Sequence, residues 1–190
     1  MDEFLKISYT LSPLLVGLAF HGLCIRFGWL AWLARPIDAG ATLRDRPLFG
    51  PNKTYRGVIA VALGTAAGVS LQTLLHHIGF ARTVELLNYT NPAVVALGFA
   101  LGAGAMLSEL PNSVLKRQLG IASGEAGSGI IGSFFYVLDQ IDMLFGVWVV
   151  LGLAVGITAL RVLWSVVFLF ITHQLLTVVG YRLGMRATAR

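Results

Sequence analysis

The sequence predicts an all-α, polytopic integral membrane protein of about five transmembrane helices. Three observations lead there. Hydrophobic residues make up 56% of the 190-residue chain and charged residues only 12%, half the charged share of an average soluble domain. The mean hydropathy is +0.78. The apolar residues fall in runs long enough to cross a bilayer. A disordered chain is excluded by that composition and a water-soluble globular enzyme is disfavoured. The length suits one domain over residues 1–190, with cytoplasmic loops at about 34–56 and 109–142.

Uncharged runs occur at Ile7–Ile25, Gly57–Ala81, Leu86–Ser108, Met143–Leu160 and Val162–Tyr181. Each is close to the roughly 20 residues a span requires. The first has room to extend past Arg26 to Leu33, with Trp29 and Trp32 at the interface. Only Arg161 parts the last two, which should form a tight hairpin. The acidic start, Met1-Asp2-Glu3, lacks the basic region of a cleaved signal, so the first run is expected to stay as a span. The single cysteine, Cys24, forms no intramolecular disulfide, and no Cys/His pattern suggests zinc.

Lys and Arg set the orientation. Arg35, Arg44, Arg46, Lys53 and Arg56 share one loop, Lys116 and Arg117 follow the third span, and Arg182, Arg186 and Arg190 lie in the tail. Only Lys6, Arg82 and Arg161 fall on the other side. The positive-inside rule makes the richer side cytoplasmic, with the N-terminus outside and the C-terminus inside a cytoplasmic (inner) membrane. The net charge of +5 therefore expresses topology, and no nucleic-acid partner is expected. Glycines at Gly98, Gly102 and Gly104, and at Gly146, Gly152 and Gly156, have the spacing that lets membrane helices pack closely.

Polar residues gather in three clusters on that cytoplasmic face. The first loop combines Pro36, Pro47 and Pro51 with charges and ends in Asn52-Lys53-Thr54-Tyr55-Arg56-Gly57. Lys53 and Arg56 would face one way on a helix, beside Thr54 and the free N–H groups of a helix start. Such an arrangement suits phosphate, or else anchors the chain to lipid headgroups. In the second cluster Ser113, Lys116 and Arg117 share one helical face, behind Glu109 and a break at Pro111. The third is Asp139 and Asp142, set at the entrance to the fourth span, where paired carboxylates suit Mg²⁺ or simply a helix N-terminus. Cations for phosphates and paired acids for a metal are the parts of a nucleotide-using site. His21, His76, His77 and His173 read as packing or interfacial residues.

The elements Pro36-Ile-Asp-x-Gly40, Gly50-x-Asn-Lys-Thr-Tyr-Arg-Gly57, Ser113-x-x-Lys-Arg117 and Asp139-x-x-Asp142 resemble CDP-archaeol synthases, within the wider CDP-diacylglycerol synthase group. The resemblance implies a membrane enzyme with a polar, cytoplasm-facing cavity. It would use CTP and a lipid phosphate, either phosphatidic acid or an archaeal-type ether lipid phosphate. The products would be a CDP-lipid and pyrophosphate, and the cofactor Mg²⁺. It further implies that Asp139 and Asp142 hold the metal and that Lys116 and Arg117 bind CTP phosphates, with Ser113 alongside. Asp38, Asn52, Lys53, Thr54 and Arg56 would help form the substrate site. Ser108-Glu109 stands where the family usually has Gly-Asp, so Glu109 is a candidate metal or orienting group. Thr177 stands where Asn is expected, and the Pro-Gly-His-Gly-Gly element of bacterial relatives is absent. Other partners implied are membrane lipids, with a homodimer left open. The competing classes are a lipid-binding scaffold or transporter, and a CDP-alcohol phosphatidyltransferase.

Overall fold

Helix α1 (Asp2–Arg26) begins on two acids and ends on a base, the charge order its dipole favours. It stops because Gly28 adopts a left-handed φ of 68°, a conformation that ends helical bonding. The tryptophan segment beyond therefore does not prolong the span. It forms a short 3-10 turn, Ala31–Leu33. In this computed structural model, residues 2–125 and 127–182 are described, with side-chain surroundings for all of these except 173, 177 and 179–181. The expectations placed on the His173 and Thr177 side chains and on the basic tail at Arg186 and Arg190 lie outside the described residues.

The first loop is ordered by its own ends. Pro36 and Thr54 bridge across its base, and β1 (Thr42–Leu43) pairs antiparallel with β2 (Arg46–Pro47). Arg44 and Asp45, both at positive φ, make the two-residue turn between these strands. Helix α2 (Tyr55–His77) starts where the loop closes. It packs between α1 and α3 (Ala93–Leu107). A methyl added at Gly64 would sit 2.7 Å from Gly17 Cα, so the backbones of α1 and α2 touch, which is how small residues bring membrane helices together. Ile7, Leu11, Leu14, Val69, Leu101, Ala105, Val147 and Leu151 form the buried centre.

The third expected span begins at Ala93, not Leu86. Asn88 and Asn91 turn the chain before it, accepting bonds from the backbone N–H of Thr90 (3.1 Å) and Ala93 (2.9 Å). After a break at Ser108, α4 (Glu109–Gln118) extends the same span, so that Ala93–Gln118 runs on as 26 residues. Helix α5 (Gly129–Val155) starts well before Met143. The segment 109–142 is thus helical at both ends instead of a continuous loop, and Asp139 and Asp142 lie within α5 rather than at its entrance. Both acids fit because they share one face, while Phe134, Val137, Ile141 and Phe145 present an exposed apolar face on another.

The expected tight hairpin is present: only residues 156–158 separate α5 from α6 (Ala159–Arg182). Arg161 secures it by donating to the carbonyls of Val155 and Gly156 at the end of α5 and to Glu3 of α1 at 3.2 Å. Among the described residues, five helical segments are long and apolar enough to cross a membrane, with α3 and α4 counted as one.

Candidate active site

The polar residues of α4 and α5 meet. Asn112, Ser113, Lys116 and Arg117 are all buried, each no more than 8% exposed. Sequence spacing places these side chains on the inward face of α4. Lys116 Nζ bonds both carboxylate oxygens of Asp139, at 2.7 and 2.6 Å, and its ammonium lies 5.6 Å from the Phe135 ring centroid. Asn112 Nδ2 donates to Asp139 Oδ1 and to Asp142 Oδ2, at 2.7 Å each. Asn112 was not among the residues expected from sequence. Its position one turn before Lys116 on the same face is the signal that could have found it.

Lys53 closes the arrangement from α2's side through an ion pair with Glu109. It precedes the helix, since Thr54 is the N-cap and its hydroxyl accepts from Gly57 N at 3.2 Å. Lys53 and Arg56 therefore do not form one helical face. Thr54 caps the helix instead of leaving its first donors free. Ser113 likewise turns inward on its own helix, donating to Glu109 O at 3.1 Å.

Two guanidiniums are differently placed. Among the described residues neither Arg56 nor Arg117 has a carboxylate within ion-pair distance, and each has a buried Nε without a partner. Buried charge left unpaired is costly, so Arg117, buried in the site, is the group suited to an incoming anion, while Arg56 is half-buried. Arg117 borders a cleft of about 360 Å³ lined also by Arg46, Gly50, Pro51, Gly120 and Ser123. Asn52 lies close to Gly124, and Arg46 holds the end of α4 by donating to Gln118 O. A second, wholly apolar cleft of about 450 Å³ is bordered by Phe135, the ring beside Lys116. It is lined by Leu115, Leu119, Ile130, Ile131, Phe134 and Phe135.

Asp38 is a loop organiser. Its Oδ2 accepts from Phe49 N (2.9 Å) and Gly50 N (3.1 Å), and its Oδ1 from Gly40 N (3.0 Å). Burial pushes its carboxyl up, but these backbone donors outweigh that and hold it below the ordinary carboxylate value. With both oxygens engaged, Asp38 acts on the site by placing Gly50 against Arg117 and Ser123.

The donor set bears on magnesium. No three His, Cys, Asp or Glu side chains converge as a ready-made metal site among the described residues, and Glu109 is drawn to Lys53. Among the described residues Asp142 is bonded only through Oδ2. Mg²⁺ commonly uses one or two carboxylates together with substrate phosphates and water, so the Asp139/Asp142 pair fits an ion that is completed by a triphosphate. A third ligand from Glu109 is not part of that fit.

Fold and site together define a multi-pass α-helical membrane protein with a charged centre built between α4 and α5. The family model for CarS-like CDP-archaeol synthase matches residues 17–189, and the chain belongs to that family. It is 38% identical over 135 residues to the CDP-archaeol synthase of Halobacterium salinarum, a match covering 70% of this chain and 64% of the relative. The chain thus spans somewhat less than two thirds of that relative's length. With the CDP-archaeol synthase of Methanoculleus marisnigri the identity is 30% over 158 residues, covering 80% and 87%. A solved intramembrane enzyme of archaeal membrane lipid biosynthesis shares the fold, with a TM-score of 0.64 at 23% identity over 90% of this chain and 91% of that one.

Proposed function

We propose that the protein is a membrane cytidylyltransferase that transfers CMP from CTP to a lipid phosphate, giving a CDP-lipid and pyrophosphate. The observation that carries this is the division of charge in the site. Among the described residues, Arg117 is a buried guanidinium without a carboxylate ion-pair partner, on the helix whose Lys116 and Asn112 hold the carboxylate pair. The apolar cleft bordered by Phe135 supports a substrate whose phosphate carries hydrocarbon chains. The family relatives named above favour an isoprenoid-ether lipid phosphate, with phosphatidic acid as the other substrate to test.

A magnesium ion held by Asp139 and Asp142 would offset the charge of the triphosphate at the reacting centre. Arg117 and Arg56 bind phosphate oxygens. Lys116 stabilises charge at the α-phosphate and on the departing pyrophosphate. Because the lipid phosphate is itself an anionic oxygen nucleophile, no side chain needs to form a covalent intermediate. Its oxygen attacks the α-phosphorus, the bond to the β-phosphate's bridging oxygen breaks, and pyrophosphate carries that electron pair away. Lys53, held by Glu109, lines the same centre. The charged loops face the cytoplasm, where CTP is found, with the N-terminus outside and the C-terminus inside.

The test is pyrophosphate release from CTP by the purified protein in mixed micelles with Mg²⁺. It is run with an archaeal-type ether lipid phosphate, with phosphatidic acid, and with Asp142→Asn as control. Release with one lipid that the mutant loses establishes the reaction and its substrate class. Folded protein that stays silent with both lipids overturns the proposal and favours a non-enzymatic binder of anionic lipid.

A further inference from the structure

We propose that Asn112 is a positioning residue for the divalent-cation site. Its amide sets the spacing of the Asp139 and Asp142 carboxylates without neutralising either. The inference rests on the cytidylyltransferase reading and extends it to a residue that no motif marks. Both Nδ2 bonds measure 2.7 Å, so the two carboxylate oxygens can lie no further apart than twice that distance. The two amide protons are both committed. Reversing the amide would set a carbonyl oxygen against two ionised carboxylates, so the hydrogen-bond network assigns the nitrogen to that side.

Charge explains why an amide stands there. Two carboxylates this close repel, and something must hold them. Lys116 already compensates Asp139. Asp142 receives, among the described residues, only the neutral Asn112 donor, so the charge of its ionised form is left for a cation. A lysine or arginine at 112 would cancel it. An aspartate would add a third repelling charge, and a serine has one proton where two are needed. Asn112 is only 6% exposed, and it shares α4 with Lys116, so one helix sets both acids of its neighbour. A second observation points to a ligand: Asn112 Oδ1 is buried and has no partner among the described residues. It remains an acceptor for a donor that arrives with the cation, such as a coordinated water.

The experiment measures Mn²⁺ binding to the full-length protein in detergent by electron paramagnetic resonance, with and without CTP. It compares wild type, Asn112→Leu and Asn112→Ser, and follows each protein's thermal unfolding. Removing an outer-shell partner of a metal ligand weakens metal affinity by about ten- to hundredfold, and that is the expectation for Asn112→Leu. Asn112→Ser, retaining one donor, should fall between it and wild type. The apparent KM for the metal should rise in the same order, independently of the melting temperatures. If Asn112→Leu unfolds, the serine variant carries the test alone. Wild-type Mn²⁺ affinity in a folded variant overturns the inference and leaves the reaction standing. A wild type that neither binds Mn²⁺ nor consumes CTP overturns both.

Discussion

Gly146 is where α3 and α5 come closest. A methyl built there lies 2.8 Å from Ser108 Oγ and overlaps the Gly104 carbonyl outright. The neighbours are backbone, which cannot rotate away, so Gly146→Ala must part the helices by on the order of 1 Å. Overpacking of this kind costs about 1–3 kcal/mol, which corresponds to a fall in melting temperature of roughly 2–12 °C for a chain of this size. The larger effect should be on turnover. Gly146 is one helical turn from Asp142, and the opposing contact is one turn from the start of α4, so the separation passes directly into the spacing of Asp142 from Asn112. A misplacement of about 1 Å can cost on the order of a hundredfold in rate. Pyrophosphate release and thermal unfolding of Gly146→Ala check both parts. Gly152→Ala serves as the comparison, because its methyl meets only the flexible end of Ile157 and should cost under about 1 kcal/mol. Wild-type turnover and melting in Gly146→Ala would show that the helices are not in backbone contact and would refute the reasoning.

Asp142→Asn and Asp139→Asn should each abolish turnover while membrane insertion, followed by fractionation, is unchanged; activity retained in both removes them from the reaction. Lys116→Ala leaves Asp139 without its cation and should weaken CTP use by at least about tenfold with a smaller effect on lipid use, so equal losses in the two KM values would contradict the assignment. The Asp38 carboxyl is held below its ordinary value, so its contribution to loop order is fully present above about pH 4, the unfolded value, and fades as pH falls through the lower folded value. Hydrogen exchange at the Phe49 and Gly50 amides, corrected for intrinsic rates, should therefore stay slow from neutral pH to about pH 4 and accelerate below it. In Asp38→Asn that dependence should disappear.

The five spans were legible because a bilayer demands a length of apolar chain that few other structures need, and counting uncharged residues finds it. The same count misplaced the ends. It treated every charge as a boundary, although a helix can carry Asp139 and Asp142 on an inward face and Phe134 and Phe145 on another. The site was legible as clusters of charge, and Lys116 with Asp139 does come together. How each charge is used was not legible. Lys53 meets Glu109 across 56 positions of sequence, and nothing local to either announces it. Thr54 was a readable N-cap that a search for phosphate-binding geometry passed over. Asn112 escaped because it is neutral, and its importance comes from two acids on another helix.

The placing of two acids within α5 also bears on how the protein is made. A single carboxylate at the middle of a span costs about 2.5–3.5 kcal/mol during insertion by the translocon, so α5 on its own is a reluctant transmembrane segment. Its countercharge and its amide donor both come from α4, which leaves the ribosome first. Biogenesis is then expected to draw on the same side chains as chemistry: with α4 beside the translocon as a partner for α5, a substitution at Lys116 or Asn112 should lower the yield of inserted protein, read by membrane fractionation.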